Sequence, residues 1–304
     1  MLQKYFGAIL LTSLMFVPQL AKAQQYNFIS IDVLGNTTRT VVNGINLNLN
    51  KASASMLVGE FDDDAGNTHG FLLSNDAFTQ IDYTPKQADQ AATTANGVND
   101  HGEIAGTLTR TNGQVTGFFR NAQGIFTDII APDSVLTRPF SLNNNGDVVG
   151  QYRSNDSSQT RHAFIWNNGT FSTITPPGAS GTTAIGINDS GHVVGTFVNA
   201  SGRHGFLLIN GVYTTIDVPG ANFTVCEGIN NNDQVAGLYE DAKKQLRGFL
   251  YNVLDRSFTL IDVPSKMNTQ IFSINDQGQI VGEYDDKTSD SKLRTHGFVG
   301  TPAP

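Results

Sequence analysis

The sequence predicts an all-β chain folded as a six-bladed β-propeller, with the N-terminal strand closing the last blade. Three observations predict it. The composition is that of short strands and tight turns; a three-element repeat recurs about every 45 residues; and the elements number six of each only if the two ends of the chain share one blade.

The chain has 304 residues, 15% charged and 39% hydrophobic, with 31 Gly, 28 Asn, 10 Pro and one Cys. That apolar fraction can build a core, which argues against wholesale disorder. Charge is sparse and Glu, Lys and Leu are few, so a mainly helical protein or coiled coil is excluded. Gly and Asn serve turns, while Thr, Phe and Tyr serve strands.

The repeat is plain. GINDSGHVVGTF (186–197) recurs as GVNDHGEIAGTL (97–108), SLNNNGDVVGQY (141–152), GINNNDQVAGLY (228–239) and SINDQGQIVGEY (273–284), with a lengthened, degenerate copy at 44–61. The Gly ending this element falls at 59, 106, 150, 195, 237 and 282. A second element, THGFLL (68–73), recurs at 116–120, 161–166, 203–208, 247–251 and 295–299. A third, FTQID (78–82), recurs at 126–129, 171–174, 213–217 and 258–262. The period accommodates four strands with their turns, the size of a propeller blade.

The count then fixes the closure. The sixth copy ends at Phe298-Val299 without its F-T-x-I-D strand, and the missing strand, Phe28 to Val33, lies at the other end of the chain. Blades are expected at roughly 37–82, 93–130, 137–175, 182–217, 223–262 and 269–300, the last completed by 26–33. A ring sealed in this way leaves no sheet edge at its seam. N-D-x-G between apolar strands reads as a short loop, with Asn or Asp accepting backbone hydrogen bonds and Gly supplying positive φ; Asp233 holds the Gly position in the fifth copy. The repeated Phe71, Phe118, Phe164, Phe206, Phe249 and Phe298 are expected in the packing between blades.

Residues 1–23 read as a secretory signal peptide: Lys4, an apolar stretch from Phe6 to Val17, and Ala21-Lys22-Ala23 before a cleavage near Ala23. The stretch is too short to span a membrane, and no later segment is apolar enough to do so. The expected product is secreted, to the periplasm, the cell surface or the medium. Without Lys4 and Lys22 the chain carries 17 Lys and Arg against 27 Asp and Glu, a net charge of −10 with no basic run, which argues against a nucleic-acid partner. Cys226 has no disulfide partner, and a buried small apolar role is expected for it.

The pattern G-I-N-D-x-G-x-I-V-G-x-Y, then H-[GA]-F-L, then F-T-x-I-D-x-P-G-A resembles the HAF-type extracellular repeat family across essentially the whole chain after residue 23. The naming tripeptide is literal only at His162-Ala163-Phe164, and Thr116 and Arg247 replace the His in two copies. The resemblance implies an exported bacterial repeat protein with a propeller-like build, and it transfers no catalytic residues.

His69, His162, His204 and His296 share one repeat position and are the candidates for a transition-metal site; hydrogen bonding within each blade is the competing and favoured reading. Asp62 to Asp64 and Asp285-Asp286 could hold Ca²⁺, but they match no known calcium-loop spacing and read as solvated turns. Asp32, Asp82, Asp217 and Asp262 recur too regularly for a catalyst, because a catalytic site breaks repeat symmetry. The places that break it are 47–56, Cys226-Glu227, 153–161 and 285–295, and none pairs a nucleophile with a base. Trp166 is expected to be buried, which weakens it as a sugar platform, and the Asn-x-Ser/Thr tripeptides at Asn36, Asn155, Asn168, Asn188, Asn199 and Asn222 read as chance in an Asn- and Thr-rich chain.

The expectation is a non-catalytic, monomeric binding module that needs no cofactor and takes an extracellular glycan or protein at the axis or on one face. Two rivals stand beside it: a polysaccharide-active enzyme with carboxylates at the axis, and a self-associating matrix protein.

Overall fold

The described strands form four sheets, three of four strands and one of twelve, and in the largest, three four-stranded antiparallel units are joined by single parallel bridges at Thr68↔Ala92 and Leu136↔Val115. The computed structural model describes residues 25–33, 39–48, 55–84, 90–287 and 293–303. The predicted signal peptide, Asn36 and residues 49–54 of the lengthened first copy lie outside them. The described residues hold 24 strands and no helix, and none of them forms a helix long and apolar enough to cross a membrane.

After β1 (Tyr26–Ile31), the first unit runs β2 (Thr40–Ile45), β3 (Leu57–Asp62), β4 (Thr68–Ser74) and β5 (Ala77–Ile81). The second is β6 (Gln90–Val98), β7 (Ile104–Arg110), β8 (Val115–Arg120) and β9 (Phe126–Ile129). The third is β10 (Ser134–Leu142), β11 (Val148–Ser154), β12 (Arg161–Asn167) and β13 (Thr170–Ile174). The fourth is β14 (Gly181–Ile187), β15 (Val193–Asn199), β16 (Gly202–Ile209) and β17 (Val212–Ile216), and the fifth is β18 (Phe223–Ile229), β19 (Gln234–Glu240), β20 (Leu246–Asn252) and β21 (Phe258–Ile261). The sixth has three strands late in the chain, β22 (Met267–Ile274), β23 (Ile280–Lys287) and β24 (Leu293–Pro302), and its fourth place is taken by β1, antiparallel to β24 from Tyr26↔Pro302 to Ile31↔Gly297.

The repeated residues explain why each unit folds alike. The Gly of V-V-G on the second strand sits opposite the repeated Phe of the third, as in Gly150↔Phe164. A Cβ at Gly150 would stand 2.2 Å from the Arg138 carbonyl oxygen and 2.6 Å from the Phe164 ring, so only glycine fits there. All six repeated Phe are at most 1% exposed, as expected of core packing. In the loop after the first strand, Asn188 Oδ1 accepts from the backbone N of Ser190 (3.1 Å) and His192 (3.0 Å), while Gly191 turns the chain at φ 74°. The fifth unit makes the same loop with Asp233 at φ 55°.

Apolar clusters fill the space between consecutive units: Val58 and Ile81 against Val98 and Phe118, Ile129 against Phe164, Val149 against Phe206, Ile216 against Phe249, and Leu250 against Phe298. A further cluster joins the last unit to the first, placing Val281, Val299 and Ile31 against Val42 and Phe71. Cys226 is free and buried within one such cluster, and Trp166, 8% exposed, lies in another. Burial pushes the Cys226 thiol well up, and the Glu227 charge adds to the effect.

Candidate functional site

The first strand of every unit is interrupted at one repeat position. The register of β2 skips between Val42 and Gly44, and the same skip recurs at Ala95/Gly97, Pro139/Ser141, Ala184/Gly186, Cys226/Gly228 and Ile271/Ser273. Each skip is a β-bulge, which leaves one residue unpaired and re-aims its side chain. The six bulged residues are Asn43, Asn96, Phe140, Ile185, Glu227 and Phe272, and all six line a single cavity of about 190 Å³. The frame repeats and its lining does not: two amides stand on successive units, three positions are apolar, and Glu227 lies between Ile185 and Phe272 in chain order.

The polar members are held firmly. Asn96 Nδ2 donates to the Pro139 carbonyl at 2.7 Å and to Thr107 Oγ1 at 3.1 Å, and Asn43 Nδ2 donates to the Ala95 carbonyl at 3.2 Å. Burial pushes the Glu227 carboxyl up to about 7, with the Arg203 charge acting in the opposite direction. Near neutrality this side chain is divided between acid and carboxylate.

Three residues beyond each bulge stands the Asn of G-I-N, buried in every unit. It links units in sequence: Nδ2 of Asn99 donates to the Asn143 carbonyl (3.1 Å), Asn143 to that of Asn188 (3.0 Å), Asn188 to that of Asn230 (3.0 Å), and Asn230 to that of Asn275 (2.9 Å). The next residues alternate acid and amide: Asp100, Asn144, Asp189, Asn231, Asp276. Asn144 Nδ2 bridges Asp100 (3.2 Å) and Asp189 (3.0 Å), and Asn231 Nδ2 bridges Asp189 (3.0 Å) and Asp276 (3.1 Å). In the first unit Leu47 takes this place, and its carbonyl accepts from the Asp276 backbone N at 3.0 Å. Burial raises the Asp276 pKa, and the charges of Asp189 and Asp100 raise it further against the Asn231 hydrogen bonds. These carboxylates are a latch between units.

The four candidate histidines do not meet one another. His69 Nδ1 lies 3.0 Å from Asp82, His204 Nδ1 2.8 Å from Asp217, and His296 Nδ1 2.9 Å from Asp32, each pair joining the third and fourth strands of one unit. His162 has Thr175 where the others have Asp, and it stacks on Tyr152 at 5.0 Å. In the fifth unit Arg247 replaces His and reaches Asp262 at 2.6 Å. Among the described residues no three His, Cys, Asp or Glu are grouped to hold a metal ion. The acidic stretches serve turns: Asp63 Oδ1 accepts from the backbone N of Ala65 (2.9 Å) and Asn67 (2.8 Å), and Asp286 pairs with Lys266.

The sequence marks Glu227 as a place where the repeat loses its symmetry and does not single out the other five bulged residues. Their signal is a position that varies while the Gly or Ser after it and the Asn three places on stay fixed.

The sequence matches no family model, and no curated protein matches it. Solved structures are similar at low identity. A protein of unknown function from Dyadobacter fermentans superposes with a TM-score of 0.55 at 9% identity, over 94% of this chain and 100% of that one. A neuraminidase-like protein of A/flat-faced bat/Peru/033/2010 superposes with a TM-score of 0.52 at 12% identity, over 93% and 95%. The six-bladed β-propeller lectin of Aleuria aurantia reaches 0.48 at 13% identity, over 88% and 96%, which is too loose to carry an argument. Identities this low speak to the fold alone.

Proposed function

We propose that the chain is an exported, non-catalytic binding module of HAF-repeat type, built as a six-bladed β-propeller, that takes a glycan segment at its axis. The single observation that carries this reading is the ring of six bulged residues. A fixed frame brings six side chains of four kinds to one cavity, and packing alone gives no reason for that variation at a position whose neighbours repeat. Phe140 and Phe272 offer apolar faces to a sugar ring while Asn43 and Asn96 supply amides, the mixture by which a small ligand is held and oriented. The cycle of apolar clusters from first unit to last supports the six-bladed reading, and the pairing of β1 with β24 supports the closure.

One carboxylate in the cavity supports binding over glycoside hydrolysis, which takes two. The enzymatic reading has one observation in its favour outside the cavity. Burial pushes Glu283 up to about 7, with the charges of Asp285 and Glu60 adding to the effect against Arg39. Both acids are engaged, however: Glu60 pairs with Arg39 at 2.5 Å, and Glu283 accepts from Gln270 Nε2 at 2.6 Å.

The test is a thermal-shift screen of the chain against neutral and charged oligosaccharides, repeated with the cavity filled by Ile185→Trp and emptied by Phe272→Ala. A ligand at 100 times its Kd adds about 2.7 kcal/mol if it binds only the folded state. Stabilisation by a saccharide that Ile185→Trp abolishes is the expected result. A panel without any stabilising saccharide, or a shift that survives Ile185→Trp, overturns the axial site. Release of reducing ends that Glu283→Gln abolishes would establish the enzyme instead.

A further inference from the structure

Three cations of this acidic protein pair with carboxylates: Arg39 with Glu60, Arg247 with Asp241 and Asp262, and Lys266 with Asp286. Four arginines on the third and fourth units break that habit. Arg153 on β11 stands opposite Leu136 of β10 on one side and opposite Arg161 of β12 on the other, while Arg138 lies two residues along from Leu136. Arg161 borders the fourth unit, where a Cβ built on Gly181 would lie 3.7 Å from its own, and Arg203 follows on β16 of that unit. Among the described residues none of the four makes an ion pair.

The charges nearest them do not neutralise the group. Arg138 feels Glu60, which Arg39 already holds. Arg203 lies over the Phe223 ring at 5.4 Å, and the acid within its field is Glu227, which burial drives toward its neutral form. Arg161 has its Nε buried without a hydrogen-bond partner. Burial lowers its pKa first, and the charges of Arg153, Arg203 and Arg138 lower it further, with no acid opposing them. Arg138 and Arg203 are exposed, so the group is open to solute.

A cluster of like charges in a folded protein costs stability unless something of opposite charge completes it. Guanidinium forks match planar and tetrahedral oxyanions with paired N–H donors. We infer that Arg138, Arg153, Arg161 and Arg203 form an oxyanion-binding site on the third and fourth units, separate from the axial cavity, that takes the carboxylate or sulfate of an acidic saccharide.

The test measures binding of four probes to the purified chain by calorimetry: an oligogalacturonate, a sulfated dextran oligomer, inorganic phosphate and neutral dextran. The expected result is that at least one anionic probe binds, that neutral dextran does not, and that affinity falls as NaCl rises from about 50 mM to about 500 mM. Oligogalacturonate binding alone assigns the site to carboxylates, sulfated-dextran binding alone to sulfates, and phosphate competing equally with either assigns it to a single oxyanion. The double variant Arg153→Gln/Arg161→Gln should weaken binding by about ten-fold or more without a loss of melting temperature, since it relieves repulsion. Arg256→Gln, which removes the same charge from an exposed turn, should leave binding unchanged, and so should Ile185→Trp, which keeps this site distinct from the axial one. Neutral dextran binding as tightly as the acidic probes, no probe binding, or the double variant binding like the parent overturns the inference.

Discussion

His296 reaches Asp32 at 2.9 Å, a contact between residues 264 apart in sequence. It reproduces the contact that His69 makes with Asp82 and His204 with Asp217, where 13 residues separate the partners. A strand from the start of the chain therefore occupies its place in the sixth unit down to the side-chain pairing at its end. Phe28 meets Phe298 edge-on at 5.4 Å, Ser30 and the Tyr284 hydroxyl lie 2.6 Å apart, and the Tyr26 hydroxyl donates to the Gly278 carbonyl at 3.0 Å.

Deleting residues 26–33 leaves β24 paired with β23 alone and bares the six-residue edge from Gly297 to Pro302. A bare edge of that length templates pairing with another chain. The expected outcome is a melting temperature lower by more than about 10 °C, with oligomers in size-exclusion chromatography. A truncated chain that stays monomeric and melts with the parent would show that β1 contributes nothing to closure.

Much of this arrangement is legible in the sequence because the residues that define it admit few substitutes. Gly150 has no room for a Cβ, Phe164 fills the space that glycine leaves, and the single side chain of Asn188 serves both the backbone of its own loop and the next unit. Such residues recur visibly, and their spacing gives the unit. The cavity is less legible because a bulge belongs to the pairing of two strands, and the six residues at the bulges share no one residue type. The histidines show a middle case. His69 and Asp82 were each visible as repeated residues, but their pairing depends on the register of β4 with β5, where Gly70 meets Ile81 and brings the flanking side chains together. The arginine group was invisible because its members come from four strands.

Asn188 carries the link between units in its most exacting form. It is fully buried, its Oδ1 serves two backbone donors, and its Nδ2 donates to the Asn230 carbonyl and to Asp233 at 3.1 Å. Asn188→Ala removes the acceptor of two loop N–H groups and the buried bond to the Asn230 carbonyl, and should cost about 2–4 kcal/mol in urea denaturation. Asn112→Ala removes a similar turn contact, Oδ1 to the Gln114 backbone N at 2.9 Å, but on an exposed loop. It should cost less than about 1 kcal/mol. Equal losses at the two positions would mean that the links between units are dispensable.

Glu227 makes stability depend on pH in a direction opposite to that of a salt-bridged acid. Its folded pKa, raised from 4.5 to about 7 by burial, lies above its unfolded value, so folding favours the protonated form. The stabilisation is complete below the unfolded value and is lost as pH rises through about 7. Glu227→Gln mimics the neutral acid at every pH. It should therefore match the parent near pH ~4 and exceed it by about 3 kcal/mol near pH ~8, the gap opening between the two pKa values. Glu283 titrates in the same range but is present in both proteins, so it cancels from the comparison. The measurement is a pair of urea denaturation series across pH for parent and variant. A constant difference between them would mean that the Glu227 carboxyl is hydrated in the folded chain, and the cavity would then have to be treated as an open, water-filled channel rather than a desolvated site.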